Sequence, residues 1–577
     1  MVIMNSLKNI KKEIVKLLKK SDLLKYEKIE ETLEAPPQSE FGDLSSNVCF
    51  SLSKKLKESP VRIADEIISQ IKITKDSIIS KVESKAGYIN FFYNYSILSK
   101  LVLRFILTEK EKFGQNKIGE CKKVMVEFSQ PNPVHPMHIG HSRSTFFGDS
   151  LSNILDFLNY ETIRANYMNN TGLQVAKLVT AYQLWGKNKK PIGKSDLWLW
   201  KLYIKFHEEA EKNPTIEEKA RDTLRKFEIE HDEKTIKVWN KVVNWCIEGF
   251  KETYKKLGIN FNIYLFENEY RKSGKKNVEK AIKKGIAFKS EEGAIVADLE
   301  KYALSNCIIL RSDGTGLYAT SDLGMTPYKF EKYKLDKSIW VVASEQDLYF
   351  KQLFKILELL GYSWIKNCYH FSYDLVHLPE GKMSSREGKA VMIDEVIEKL
   401  TNNILKEVNK KNPKLPKKEK KDIAEKIAIG AFKYNILKIE PHKSITFDWD
   451  RMLSFEGDTG PYLQYAHVRA DKILQKADKW KENYSIKELK KQETNLVKKL
   501  MQFPDVVEQS GKDMRPHYIC NYAHELSDSF SDFYHSCPAI KAETEELRNF
   551  RLTLVKAVKI TLKNSLTLLG IETPKIM

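Results

Sequence analysis

Apolar residues recur at two spacings along the chain, and the switches between them mark the elements. The short run Val124–Phe128 reads as a strand. Beyond a polar, proline-broken stretch, Phe146, Phe147, Leu151, Ile154, Leu155 and Leu158 fall on one helical stripe. Thr162–Tyr167 follows as a second strand, so the local order is strand, helix, strand. Further strand-like runs are Cys307–Leu310 and Ile339–Ala343. From Trp185 to Gly293 the pattern turns helical and charged, and Trp198, Trp200, Trp239 and Trp245 are spaced to form a core of their own. Near the start, helical spacing covers Ile10–Lys20 and Pro60–Ile71, with a strand over Ala86–Phe92. From Ile427 onward no strand pattern is seen, and Pro461–Lys476, His517–Tyr534 and Leu552–Leu569 read as long amphipathic helices of a bundle.

These elements predict a multidomain α/β plus all-α protein. Residues 1–110 form a mixed α/β domain; 120–185 and 294–400 are two halves of a Rossmann-like domain with a parallel sheet. A helical insertion, 186–293, separates those halves. A basic stem, 401–426, broken by Pro413 and Pro416, leads to a helical domain over 427–577. A chain of 577 residues is long enough to give each of these its own core.

Charge and cysteine usage narrow the partners. A formal net charge of +19 suggests a polyanion, with RNA the first candidate. No apolar run approaches the roughly 20 residues that span a bilayer, and Lys8–Lys20 lacks a signal-peptide pattern. Cys49, Cys121, Cys246, Cys307, Cys368, Cys520 and Cys537 are dispersed without a CxxC pair. This argues for reduced thiols in a cytoplasmic protein and against structural zinc.

The chemistry concentrates where the first strand meets the helix, at Pro131–His141, PNPVHPMHIGH. Ligands collect at the carboxyl ends of strands in such a unit, and the helix start offers N–H groups and a positive dipole end to phosphate. His138 and His141 add donors for phosphoryl oxygens, and Gly140 lets a flat ring approach the backbone. This resembles the ATP-binding HIGH motif of class I aminoacyl-tRNA synthetases. Downstream, Leu378–Gly388 is a polar, glycine-bounded loop whose centre, Lys382, Met383, Ser384, Ser385 and Arg386, resembles the KMSKS loop of the same class. Cations and hydroxyls there suit the charge that builds on pyrophosphate as it leaves. Ser385 stands where the pattern has its second lysine. Either Arg386 or His135 must then supply the missing positive charge, or the step runs with less help. A histidine is charged only part of the time near pH 7, which favours Arg386.

Several blocks are similar to arginyl-tRNA synthetases in particular: Glu127–Pro133, Asn166–Gln174, Ser312–Asp322, Val341–Asp347, Phe447–Asp450 and Phe455–Ala466. That resemblance covers nearly the whole chain. It implies an ATP site formed by Pro133, Met137, His138, Ile139, Gly140 and His141 with Lys382, Met383, Ser384 and Ser385. His138, His141, Lys382, Ser384 and Arg386 would be catalytic, and Glu127, Asn132, Tyr318, Asp322 and Gln346 would bind arginine. Two acids suit a guanidinium, a planar and permanently charged fork. Tyr88 and Asn90 match positions that read a D-loop base of tRNA, and the C-terminal helices resemble the anticodon-binding domain.

The implied reaction joins arginine to tRNA(Arg) through arginyl-adenylate, with Mg²⁺ accompanying ATP, no other metal, and tRNA needed for the first step. A cytoplasmic monomer without membrane contact is expected. Two alternatives stay open at this point. Another class I synthetase would keep the nucleotide motifs but leave Glu127 and Asp322 unpaired beside a neutral substrate, at a cost. A silent tRNA-binding relative would be expected to have decayed motifs, whereas HIGH is intact.

Overall fold

Five parallel strands form the sheet that positions the site, in the order Cys368–Tyr373, Lys337–Ala343, Lys123–Glu127, Glu161–Met168, Ile263–Phe266. The first strand in sequence is therefore central. The chain builds outward on one side of it, then crosses to the other, so Lys123–Glu127 and Lys337–Ala343 flank a topological switch point. Binding crevices open at the carboxyl ends of strands at such points. The computed structural model describes residues 7–24, 28–377, 391–446, 452, 454, 456–477 and 479–577.

The apolar stripe predicted after the first strand becomes the helix Ser142–Phe157, with Phe146, Phe147, Leu151, Ile154 and Leu155 buried. Gly148 permits the closeness: a Cβ there would lie 2.1 Å from Cγ of Phe128, inside any van der Waals contact. Ser144 Oγ donates to the Val341 carbonyl at 2.7 Å, tying this helix to the neighbouring strand.

Three features differ from the sequence expectation. The stretch 186–293 contains four helices, Ser195–Lys212, Thr215–Glu228, Glu233–Leu257 and Glu267–Lys283, but also the strand Ile263–Phe266, which completes the sheet. That strand is only 4 residues long, between helices of 25 and 17 residues, so its alternation is swamped by their period. Cys307–Leu310 is a strand, but it pairs antiparallel with Ile295–Ala297 in a separate three-stranded sheet. Residue pattern identifies an extended segment without naming its partner. Finally, Ile445–Thr446 pairs in parallel with Val376–His377, too short a ladder to leave a periodic signal.

The chain forms two compact units, each assembled from separated stretches. One comprises Asn116–Pro461, Ser510–Cys520 and Thr567–Met577. Its helices Ile393–Lys411 and Lys417–Leu437 flank Pro413 and Pro416 in the basic stretch. The late stretches are stitched in by specific contacts. Lys433 Nζ donates to the Gly570 carbonyl at 2.7 Å, Ser150 Oγ to the Leu568 carbonyl at 2.9 Å, and Tyr434 Oη to the Cys520 carbonyl at 3.2 Å.

The other unit comprises Met1–Gln115, Tyr462–Gln509 and Asn521–Leu566. It holds the antiparallel sheet Leu33–Glu34, Leu44–Ser46, Tyr88–Tyr93, Ile79–Lys85 and most of the late helices. A buried ion pair, Arg551 Nε to Glu493 Oε1 at 2.7 Å, and Lys498 to Asp43 at 2.6 Å lie inside this unit. Among the described residues, no helix is long and apolar enough to cross a membrane.

Candidate active site

The HIGH segment forms a single 3-10 turn, Ile139–His141, leading into Ser142–Phe157. The chain reaches it from the central strand through Ser129 and Gln130, both with positive φ (78° and 48°). Such a conformation costs of order 1–3 kcal/mol for a residue with a Cβ and persists only where neighbours impose it. Here Ser144 Oγ accepts the Ser129 N–H at 2.8 Å, while the Ser129 hydroxyl meets those of Thr145 and Tyr254, each at 2.8 Å. Pro133 and Met137 are buried in the loop that follows.

The two imidazoles of the motif sit 4.0 Å apart between ring centroids. Nδ1 of His138 accepts the Gly140 N–H at 3.1 Å, and Nδ1 of His141 accepts the His138 N–H at 3.1 Å. A weaker contact of 3.3 Å between His141 Nδ1 and the His138 carbonyl would require the opposite tautomer. With both Nδ1 atoms accepting, each ring carries its proton on Nε2, outward from the turn. Burial, reinforced by His135, depresses the His138 pKa to about 3, and burial drives His141 well below the imidazole range. Both rings are thus neutral donors at pH 7. His135 is buried, its pKa is lowered by desolvation, and its Nδ1 lies 2.9 Å from the Pro136 carbonyl, to which it must donate.

Around the switch point lies a buried cluster of acids. Glu127, at the end of the central strand, forms a buried ion pair with Lys329. Gln130 Nε2 also donates to it at 3.3 Å. Asp322 accepts a hydrogen bond from Tyr349 Oη. Burial, with added repulsion from Glu127 and Glu267, raises the Asp322 pKa to about 7 against the pull of Tyr349 and Lys329. Glu267 receives Tyr167 Oη at 2.9 Å and Arg271 at 3.3 Å, and Arg271 also pairs with Glu228 at 2.7 Å. Lys329 serves Glu127 and Arg271 serves Glu267, while Asp322 has no ion pair among the described residues. Four carboxylates, Glu127, Glu228, Glu267 and Asp322, thus face two cations, Lys329 and Arg271.

A cleft of about 480 Å³ opens beside this cluster, lined by Asn132, Asn169, Glu267, Arg271, Arg311 and Tyr318 among others. Asn169 links its walls. In the amide orientation that satisfies its neighbours, it accepts from Tyr318 Oη at 2.9 Å and donates to Glu267 at 2.7 Å. Tyr318 and Asp322 stand one turn apart on the helix Tyr318–Tyr333, hence on one face.

Asn132 and Tyr318 therefore share one cleft, and Glu127 and Asp322 one acid cluster. Gln346 lies in the turn Ser344–Gln346 after the neighbouring strand, exposed and outside these hydrogen bonds. Lys382, Met383, Ser384, Ser385 and Arg386 lie outside the described residues, as do Phe447–Asp450 and Phe455.

Sequence reasoning missed Lys329, Glu267, Arg271 and Tyr349. Glu267 follows directly on the strand hidden between two helices, and the end of a parallel strand is the signal that could have marked it. Lys329 lies on a helix, where a lysine ordinarily reads as surface.

In the other unit, Tyr88 and Asn90 are two residues apart on one strand and so face the same side. They line a cleft with Glu34, Phe41, Ser45 and Lys85. The Ser45 hydroxyl donates to Asn90 Oδ1 at 2.5 Å, which turns the Asn90 NH₂ away from Ser45. Tyr88 is half-exposed and packs edge-on against Phe50.

Comparison with known proteins places this architecture. The model of the class I tRNA synthetase (R) catalytic domain matches residues 102–449, that of the DALR anticodon binding domain 463–577, and that of the arginyl tRNA synthetase N-terminal domain 8–93. The arginine–tRNA ligase of Halothermothrix orenii is 39% identical over 561 residues, covering 96% of this chain and 97% of that protein. That of Clostridium acetobutylicum is 36% identical over 567 residues, covering 97% and 99%. The solved arginyl-tRNA synthetase of Thermus thermophilus superposes with a TM-score of 0.80 at 26% identity, over 98% of this chain and 100% of that one.

Proposed function

We propose how this chain, which belongs to the arginyl-tRNA synthetase family and is an arginine–tRNA ligase, holds and activates its substrates. The guanidinium of arginine pairs with Asp322, with Glu127 completing the acidic end. Asn132 and Gln346 hold the α-amino and carboxylate groups, and Tyr318, steadied by Asn169, sets the orientation. The single observation that carries this reading is the acid cluster at the switch point of the sheet, in which Asp322 has no ion pair among the described residues.

ATP lies along the HIGH turn, contacting Pro133, Met137, Ile139 and Gly140. The arginine carboxylate oxygen attacks the α-phosphorus, and the bond to the β-phosphate oxygen breaks to release pyrophosphate. The Nε2–H groups of His138 and His141, already neutral and fixed by backbone N–H groups, donate to the phosphoryl oxygens as charge builds there. Lys382, Met383, Ser384, Ser385 and Arg386 attend the leaving group. Arg386 supplies the charge that Ser385 lacks, because His135 is held neutral. Mg²⁺ enters as part of the substrate, on the ATP phosphates. In the second step the terminal ribose hydroxyl of tRNA(Arg) takes the arginyl group and AMP leaves. Nothing in the cluster serves as a nucleophile, so catalysis rests on position and charge.

tRNA is held at both ends of the chain. Residues 1–110 meet its outer corner, where Tyr88 offers an aromatic face and Asn90 its amide to an unstacked D-loop base. The late helices meet the anticodon. The enzyme acts as a cytoplasmic monomer. Arginine-dependent ATP–pyrophosphate exchange, measured with and without tRNA(Arg) and with lysine and glutamine controls, tests the assignment. Exchange with arginine alone, and only with tRNA present, is expected; exchange with another amino acid overturns the pocket.

A further inference from the structure

Arg143 lies two residues beyond the last histidine of the HIGH motif, in the first turn of Ser142–Phe157, and is completely buried. Its surroundings are costly. A cation at a helix amino end opposes the helix dipole. Among the described residues no carboxylate pairs with it, its Nε finds no partner, and burial lowers its pKa to about 10. A buried guanidinium is retained under such conditions only if its shape does something a neutral side chain cannot.

What it does is hold backbone. Nη1 donates to the carbonyls of Asp374 and Lys443, both at 2.7 Å, and Nη2 to that of Glu440 at 3.1 Å. Phe147 and Tyr373 flank its plane, at 5.2 and 5.9 Å. The three carbonyls belong to two separate stretches, which continue directly into the paired strands Val376–His377 and Ile445–Thr446. Asp374 N–H to the Pro441 carbonyl, 2.8 Å, and Ile445 N–H to the Leu375 carbonyl, 3.1 Å, close the same joint. His377 immediately precedes the sequence that carries Lys382 and Arg386. On the far side of that sequence, Ile139 N–H donates to the Val391 carbonyl and Ile393 N–H to the Met137 carbonyl, each at 2.9 Å. The downstream flank is thus tied to the HIGH turn by backbone, and the upstream flank is tied to the HIGH helix by the Arg143 fork beside the packing of Phe147 on Phe371 and Tyr373.

We propose that Arg143 is a positioning residue for adenylate formation: its planar fork fixes the Asp374–His377 and Glu440–Thr446 joint relative to the HIGH turn. The proposal rests on the reading that the KMSKS-like sequence attends the leaving pyrophosphate. A lysine keeps the charge but offers one point instead of a fork, and misplacement by about 1 Å can cost on the order of 100-fold in rate.

The test is Arg143→Lys in the full chain, with Arg143→Gln as the second variant, each checked for tRNA affinity and thermal midpoint. Arginine-dependent pyrophosphate exchange in the presence of tRNA should lose about 10- to 100-fold in kcat, with the arginine KM changed by less than about twofold. AMP-dependent deacylation of arginyl-tRNA, which reverses the transfer step without pyrophosphate, should stay within about twofold. Methylguanidine should partly restore exchange in Arg143→Ala. Equal losses in exchange and deacylation, or an unchanged exchange rate in whichever variant folds, overturn the proposal. Lys382→Ala separates the two readings. If it loses exchange while Arg143→Lys does not, the positioning role fails and the loop reading stands; if Lys382→Ala is silent, the loop reading itself fails.

Discussion

Placed in the arginine pocket as proposed, Asp322 makes arginine binding depend on pH in a calculable way. Its folded pKa of about 7 lies far above the roughly 3.9 of a solvated aspartate. Between those values the native free enzyme binds a proton that the unfolded chain does not, so its stability falls as pH rises through that window. A guanidinium requires the ionised carboxylate. If only that form binds, the apparent arginine KM scales as 1 + 10^(pKa − pH), a factor of about 11 at pH 6 and about 1.1 at pH 8. The KM should therefore rise roughly tenfold from pH 8 to pH 6 and be flat above pH 8, with about one proton released on binding at pH 6. Steady-state charging of tRNA between pH 6 and 8.5, with ATP and tRNA saturating, gives the profile; Asp322→Asn should weaken binding and flatten it. A KM varying less than about twofold across that range, or an unchanged slope in Asp322→Asn, refutes the assignment of the titrating group.

Three further outcomes are expected. Tyr349→Phe removes a hydrogen bond that favours ionised Asp322, so the KM profile should move to higher pH by about one unit. Lys329→Met leaves Glu127 buried without its cation and should cost about 3–5 kcal/mol in urea unfolding, with much of the loss recovered in the double variant Glu127→Gln/Lys329→Met. The affinity for tRNA should fall steadily as salt rises, in filter binding or fluorescence titration, since a net charge of +19 implies counterion release; a flat response would separate that charge from RNA binding.

The sheet centre and the HIGH turn were legible because strand, turn and helix signals fall in one short window, and Phe146 to Leu155 are buried as their spacing requires. The acid pair Glu127 and Asp322 came from family resemblance, since a lone acid at a strand end or in a helix has no periodic mark. The cations and donors around that pair were not legible. Lys329 and Arg143 occupy helices where period and polarity suggest solvent, and only tertiary placement buries them. Glu267 depended on a four-residue strand hidden between two long helices. Tyr349 carries no mark in the sequence, because its hydroxyl matters only once Asp322 comes within reach.

The assembly of the catalytic unit from three stretches also constrains how the enzyme can be taken apart. A fragment ending at Pro461 would keep the parallel sheet, the HIGH turn and the acid cluster, yet it would strip Lys433 of the Gly570 carbonyl and Ser150 of the Leu568 carbonyl. It would also remove Gly511, which sits so near Leu158 that an added Cβ would come within 2.1 Å of that side chain. The helix that follows the HIGH turn would then show bare flanks to water. For this chain the anticodon-binding half is not a detachable cartridge. Grafting a relative's C-terminal domain onto this catalytic unit calls for keeping Ser510–Cys520 and Thr567–Met577 native, as two patches inside foreign sequence.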